Sequence, residues 1–139
     1  MAANGASEEL LGRPPLALDL PAHAASPSVA RAWLHTIAAT TALPAGLVSD
    51  ATLVLSELVT NAVVHAATDV HVSIELYDDT GIHLEVGDDT SALPQVRVSE
   101  PEHIGGVGMR IVDQLVASWG VRPIGPGKIV WADLAVVME

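Results

Sequence analysis

Apolar residues recur along this chain at two periods, and the point where the period changes separates helical from strand territory. "LALDL" (16–20) reads as a short strand. From Ser28, residues Val29, Trp33, Leu34, Ile37 and Ala38 repeat at helical spacing and predict an amphipathic helix to about Thr41. "LPAG" (43–46) interrupts it. A second helix is expected over about Leu47–Ala66, with Ala51, Val54, Leu55, Leu58, Ala62 and Val63 as its apolar stripe. Beyond it Val70, Val72, Ile74 and Leu76 alternate with polar residues, and after the turn "DDTG" so do Ile82, Leu84 and Val86. That pattern predicts two antiparallel strands joined by a hairpin. A third helix is expected from Gly108 to near Trp119–Gly120, carrying Ile111, Val112, Leu115 and Val116. "VRPI", "GPG" and "KIVWADLAVV" then make a closing hairpin. The segregation of strands and helices predicts an α+β, two-layer sandwich. Its sheet would be mostly antiparallel and mixed, with three main helices on one face.

Two stretches have neither period. Residues 1–15 are small, polar and punctuated by Gly and Pro, and are expected to form a flexible tail ahead of one domain at 16–139. Residues 89–107 are rich in Ser, Pro, Gly and charge. A loop of that length in a small domain is typically a lid or binding loop.

With 139 residues, half of them hydrophobic, the chain can bury a sizeable core. Its net charge is −11, with five Arg and the single Lys128 as its basic residues. Nucleic acid and anionic membranes call for clustered positive charge, and none is present. The start lacks a basic region followed by an apolar run, and no uncharged apolar stretch approaches ~18 residues, so neither signal peptide nor membrane span is expected. Cysteine is absent, which excludes disulfides and thiolate zinc sites and suits a reducing cytoplasm. The six histidines are scattered without zinc-ligand spacing on one helix, so a metal hydrolase is disfavoured.

Chemistry enters where polar groups interrupt the apolar pattern. "SELVTNAVVHA" (56–66) places Glu57, Asn61 and His65 at steps of four, along one face of a helix. A wet face would carry Lys, Arg or several Glu. A carboxamide oxygen among small apolar neighbours instead suits Mg²⁺, and a carboxylate one turn earlier suits a base for a hydroxyl or water attacking a γ-phosphate. His65 either reaches ligand or packs at the helix end. Period two puts Asp88 on the inward face with Ile82, Leu84 and Val86, where a carboxylate needs a donor. It either caps a loop or turns outward as the strand ends, or it awaits a ligand donor such as an exocyclic amine. "IGGVGMRIV" (104–112) brings three glycines to a helix start, which is either an ordinary helix entry or a phosphate cradle. It is no dinucleotide fingerprint, and "GPGKIV" is no P-loop.

The order of these features resembles the Bergerat ATP-binding fold of gyrase, heat-shock chaperones and histidine kinases. "LSELVTNAVVHA", "LEVGDD", "GGVGMRIVDQLVASWGV" and "GKIVWADL" look like the small anti-sigma-factor serine kinases, over residues 16 to 137. The resemblance implies ATP and Mg²⁺ as cofactors, with Asn61 on the metal and Glu57 as catalytic base. It also implies Asp88 on the adenine amino group, Gly106 and Gly108 around the phosphates, Met109 beside the base or lid, and residues 89–105 as the lid. The chain departs from the family pattern at Thr90 and Ala92, where glycines are usual. Ile104 and Val107 stand where an arginine is common, and Ile129 where a threonine is usual. Weak nucleotide affinity is the expectation from these losses.

The resemblance implies a cytoplasmic serine/threonine protein kinase that phosphorylates an anti-anti-sigma partner and alternately sequesters a sigma factor, and it implies a homodimer. The alternative is a catalytically weak or inactive binding module of the same fold.

Overall fold

The computed structural model describes residues 15–77, 80–90 and 104–136, with side chains described from Met109 onward in the last segment. The elements run β1 (Leu16–Leu20), α1 (Ser26–Ala38), α2 (Ala45–Asn61), one π-helical turn (Ala62–Ala66), β2 (Val70–Tyr77), β3 (Gly81–Asp88), α3 (Ile104–Leu115), β4 (Ser118–Ile124) and β5 (Gly127–Ala135). The strands form one sheet in the order β1-β2-β3-β5-β4, with every described pairing antiparallel. Three helices stacked on a sheet make the α+β sandwich that the periodicity predicts.

Alternation along the strands decides which side the core takes. Leu84 of β3 stands opposite Ile74 of β2 and Ala132 of β5, and all three are fully buried or nearly so. The helices meet this surface with residues at helical spacing: Ala30 and Leu34 from α1, Ala51, Leu55 and Leu58 from α2, and Met109 and Val112 from α3. Burying each of the larger of these side chains, Leu34, Leu55, Leu58, Met109 and Val112, contributes about 1.5–3 kcal/mol. The continuous helical segment Ala45–Ala66 is apolar and long enough to cross a membrane by composition alone, with mean hydropathy 1.5 over its best window. Its stripe instead packs on the sheet as the core helix.

The elements differ from the sequence-based expectations at four places, each with a local cause. Helix α1 starts at Ser26 because Pro27 fits the first turn, where its missing N–H costs nothing; the Ser26 hydroxyl also donates to the Pro21 carbonyl at 2.7 Å. Helix α2 ends as an α-helix at Asn61. Beyond it the Ala67 N–H donates to the Ala62 carbonyl at 3.2 Å, five residues back, and Ala67 closes the turn with φ of 56°. Helix α3 begins at Ile104, so Gly106 and Gly108 lie inside it rather than ahead of it. Trp119 and Gly120 belong to β4, not to the end of α3. Gly120 stands opposite Trp131 of β5, whose indole lies across it, and a Cβ there would come within 2.8 Å of the ring. The glycine is a seat for the indole rather than a helix stop.

Candidate functional site

Glu57 and Asn61 sit one turn apart at the C-terminal end of α2, both half-buried. His65 falls in the π turn, out of the α-helical step, and is exposed. π turns of this kind are frequent at functional sites. The carboxyl of Glu57 is held above the ordinary carboxylate pKa, because burial raises it more than the nearby positive Arg31 lowers it. Arg31 reaches across from α1, and its Nη1 donates to the Ser56 hydroxyl at 2.6 Å. A half-buried carboxylate with a raised pKa is a stronger base than an ordinary one.

Asp88 ends β3 facing inward, 4% exposed, as the strand period predicts. Its partner comes from the adjacent strand. Lys128 stands opposite it in the β3–β5 register, and its Nζ donates to both carboxylate oxygens, at 3.0 Å to Oδ1 and 2.8 Å to Oδ2. The Thr90 backbone N–H adds a third bond to Oδ1 at 2.9 Å. Lys128 is itself buried, at 6% exposed. The chain thus supplies internally the donor that a ligand amine was expected to bring. The next residue, Asp89, donates its N–H to the Thr68 hydroxyl at 3.0 Å. That bond ties the end of β3 to the segment leaving the π turn, so the Asn61 helix end and the Asp88 strand end lie at one edge of the sandwich.

The remaining candidates are placed as follows. Gly106 and Gly108 belong to the first turns of α3, and Met109 is fully buried in the core. Ile129 stands opposite Gly87 in the register and lies on the sheet face away from the helices, so the inward residue of that strand end is Lys128. Lys128 is the functional candidate that sequence reasoning missed. The signal was present: Val130, Ala132 and Leu134 face inward at period two, which places residue 128 on the same side. Ala92 and most of the expected lid, residues 91–103, lie outside the described residues.

The opposite face of the sheet carries a charge cluster. The ring of His83 lies between two carboxylates, with Nδ1 2.6 Å from Asp133 Oδ1 and Nε2 2.7 Å from Glu85 Oε2, and it stacks on Trp131. Burial pulls its pKa down, but the hydrogen bonds and charges of Glu85 and Asp133 outweigh this and raise it. A cavity of about 300 Å³ at this end of the sheet is lined by Asp19, His71, Glu85 and Asp89 together with both members of the Asp88–Lys128 pair. A second cavity of about 610 Å³ lies between α1 and α2, with Arg31, His35 and Ser56 in its wall. Asn61 lines neither of these two.

An antiparallel sheet covered on one face by three helices, with a polar helix end beside a buried strand-end carboxylate, is the architecture of a nucleotide-binding ATPase domain. The histidine kinase-like ATPase domain matches residues 20–133, and the chain belongs to that family. Among solved structures, the RsbU and RsbW domains of Rv1364c from Mycobacterium tuberculosis share the fold with a TM-score of 0.67 at 23% identity. The match takes in 87% of this chain and 32% of that one, so this chain spans about a third of that protein's length. A chain of the SiaB–SiaC complex from Pseudomonas aeruginosa aligns over 98% of both chains, with a TM-score of 0.59 at 10% identity. No curated protein matches the chain.

Proposed function

We propose that this chain binds ATP with Mg²⁺ and transfers the γ-phosphoryl group to a serine or threonine of a protein partner of the anti-anti-sigma type. The observation that carries the reading is the half-buried Glu57, its pKa raised by burial, one turn before the carboxamide of Asn61. The donor set fits the chemistry. Asn61 offers a hard oxygen of the kind Mg²⁺ takes while keeping several waters. Glu57 would accept the proton of the acceptor hydroxyl as its oxygen bonds to the γ-phosphorus and ADP leaves. Asp88 would receive the adenine amine, and the backbone of Gly106 and Gly108 would approach the phosphates at the start of α3.

Family membership supports nucleotide binding, and the likeness to a chain from a two-protein complex supports a protein partner. The domain proposed to do this is residues 16–139, working in the cytoplasm as a dimer and alternately holding a sigma factor. Incubation with labelled ATP, Mg²⁺ and candidate partners tests the reading. It predicts transfer that Glu57→Ala abolishes; no transfer by the unaltered protein, or undiminished transfer by the variant, overturns it.

A second reading has its own observation. With Asp88 already bonded to Lys128, the protein could serve as a binding module of the same fold that grips its partner without nucleotide. Partner binding that persists unchanged after exhaustive removal of nucleotide would favour it.

A further inference from the structure

Asp88 is the acceptor on which a purine base would be read, yet its side chain is only 3% exposed, and the ammonium of Lys128 meets both of its oxygens. Direct bonding to a carboxylate needs a donor about 2.9 Å from an oxygen, so a ligand amine cannot reach Asp88 unless something moves. The covering groups differ in how readily they can leave. The Thr90 N–H is fixed in the backbone, two residues along. Lys128 stands at the second residue of β5, next to a turn where Gly125 takes φ of +56°, and reaches Asp88 through four rotatable methylene links. Among the described residues its ammonium has one further hydrogen-bond partner, the Thr90 carbonyl at 3.5 Å. Of the two, the lysine is the group able to swing out.

We propose that Lys128 is an internal competitor for the base pocket: its ammonium holds the acceptor that a purine's exocyclic amine would take, and the base seats only when Lys128 is displaced. The inference rests on the nucleotide reading above and adds a determinant of affinity and specificity to it. Displacement takes an ammonium from a buried pair into water and replaces a charged donor by a neutral one, so the closed state is favoured when nucleotide is scarce. The apparent dissociation constant is then the intrinsic one divided by the fraction of open molecules. Base selection follows from the same geometry. A ligand without an exocyclic amine has nothing to offer Asp88 in exchange for the lysine and leaves the pocket shut.

Lys128 is the only lysine in the chain, which makes the test direct. In protein labelled with [ε-¹³C]lysine, the single side-chain signal should shift on titration with ATP·Mg²⁺, saturating together with the heat of binding measured by calorimetry. Calorimetry on Lys128→Met, whose chain keeps the length without the charge, should show ATP binding at least about tenfold more tightly than the unaltered protein. That gain should be absent for purine riboside triphosphate, which lacks the amino group. Three results overturn the inference while leaving the nucleotide reading standing: binding heat with an unmoved Lys128 signal, equal or weaker ATP affinity in Lys128→Met, or a gain that ignores the amino group. No heat with either protein removes the nucleotide reading and this inference with it. If Lys128→Met does not fold, the lysine signal of the unaltered protein decides alone.

Discussion

Lys128 and Asp88 face each other across the β5–β3 ladder as a buried ion pair, 2.8 Å apart at the closest atoms, in a chain with no other lysine. Attraction between buried charges offsets a large desolvation cost, so the pair is expected to matter far more when half of it is lost than when both halves are replaced together. Lys128→Ala alone leaves an uncompensated buried carboxylate and should cost about 3–5 kcal/mol in urea unfolding. The double variant Asp88→Asn with Lys128→Met should cost much less than the sum of its parts. Additive losses would show that the two residues do not interact.

Gly127 supports the same corner. A Cβ at that position would run into the Asp88 carbonyl oxygen and press on the Cα of Asp89. Gly127→Ala should therefore destabilise the fold by about 1–3 kcal/mol, the usual cost of overpacking. Because the strain falls on the Asp88 backbone, it should also weaken nucleotide binding; an unchanged melting temperature with unchanged affinity would contradict the placement.

Glu57 illustrates a tension between stability and chemistry. Its pKa is raised in the folded protein, so the folded state holds its proton more tightly than the unfolded chain does, and stability falls as pH rises from about 4.5 through the raised value. At neutral pH the carboxylate is a liability to folding. Glu57→Gln should leave the fold equally or more stable at pH 7 and flatten this acid-range dependence, while removing phosphoryl transfer. A marked loss of stability at pH 7 would contradict it.

His83 gives a pH dependence of the same sign in a higher window. Its folded pKa lies above the ordinary 6.5, so the contribution of the Asp133–His83–Glu85 bridge is fully present below 6.5 and is lost as pH rises through the folded value. Melting curves across that window should show the loss in the unaltered protein and not in His83→Gln. Equal slopes would mean that another group titrates there.

Much of this architecture is legible in the chain because period two and helical spacing survive into the folded core. Asp88 is an example: alternation from Ile82 places it inward, and it is inward. The same rule applied backwards from Leu134 places Lys128 opposite it, but a lysine beside a glycine-rich turn reads as a solvated tip, and a local pattern cannot say which strand lies alongside. The β4 residues Trp119 and Gly120 were illegible for a related reason. What makes Gly120 necessary is the indole of Trp131, eleven positions away and across a strand boundary. The π turn at Ala62–Ala66 leaves no mark on the apolar pattern.

Thermal melting with and without ATP·Mg²⁺ tests the nucleotide site most directly, because a ligand that binds only the native state stabilises it by about 2.7 kcal/mol at a hundredfold excess over Kd. A melting temperature that climbs with ATP·Mg²⁺, and climbs less for Asn61→Ala, is the predicted result. An unmoved melting temperature at saturating nucleotide would contradict the account.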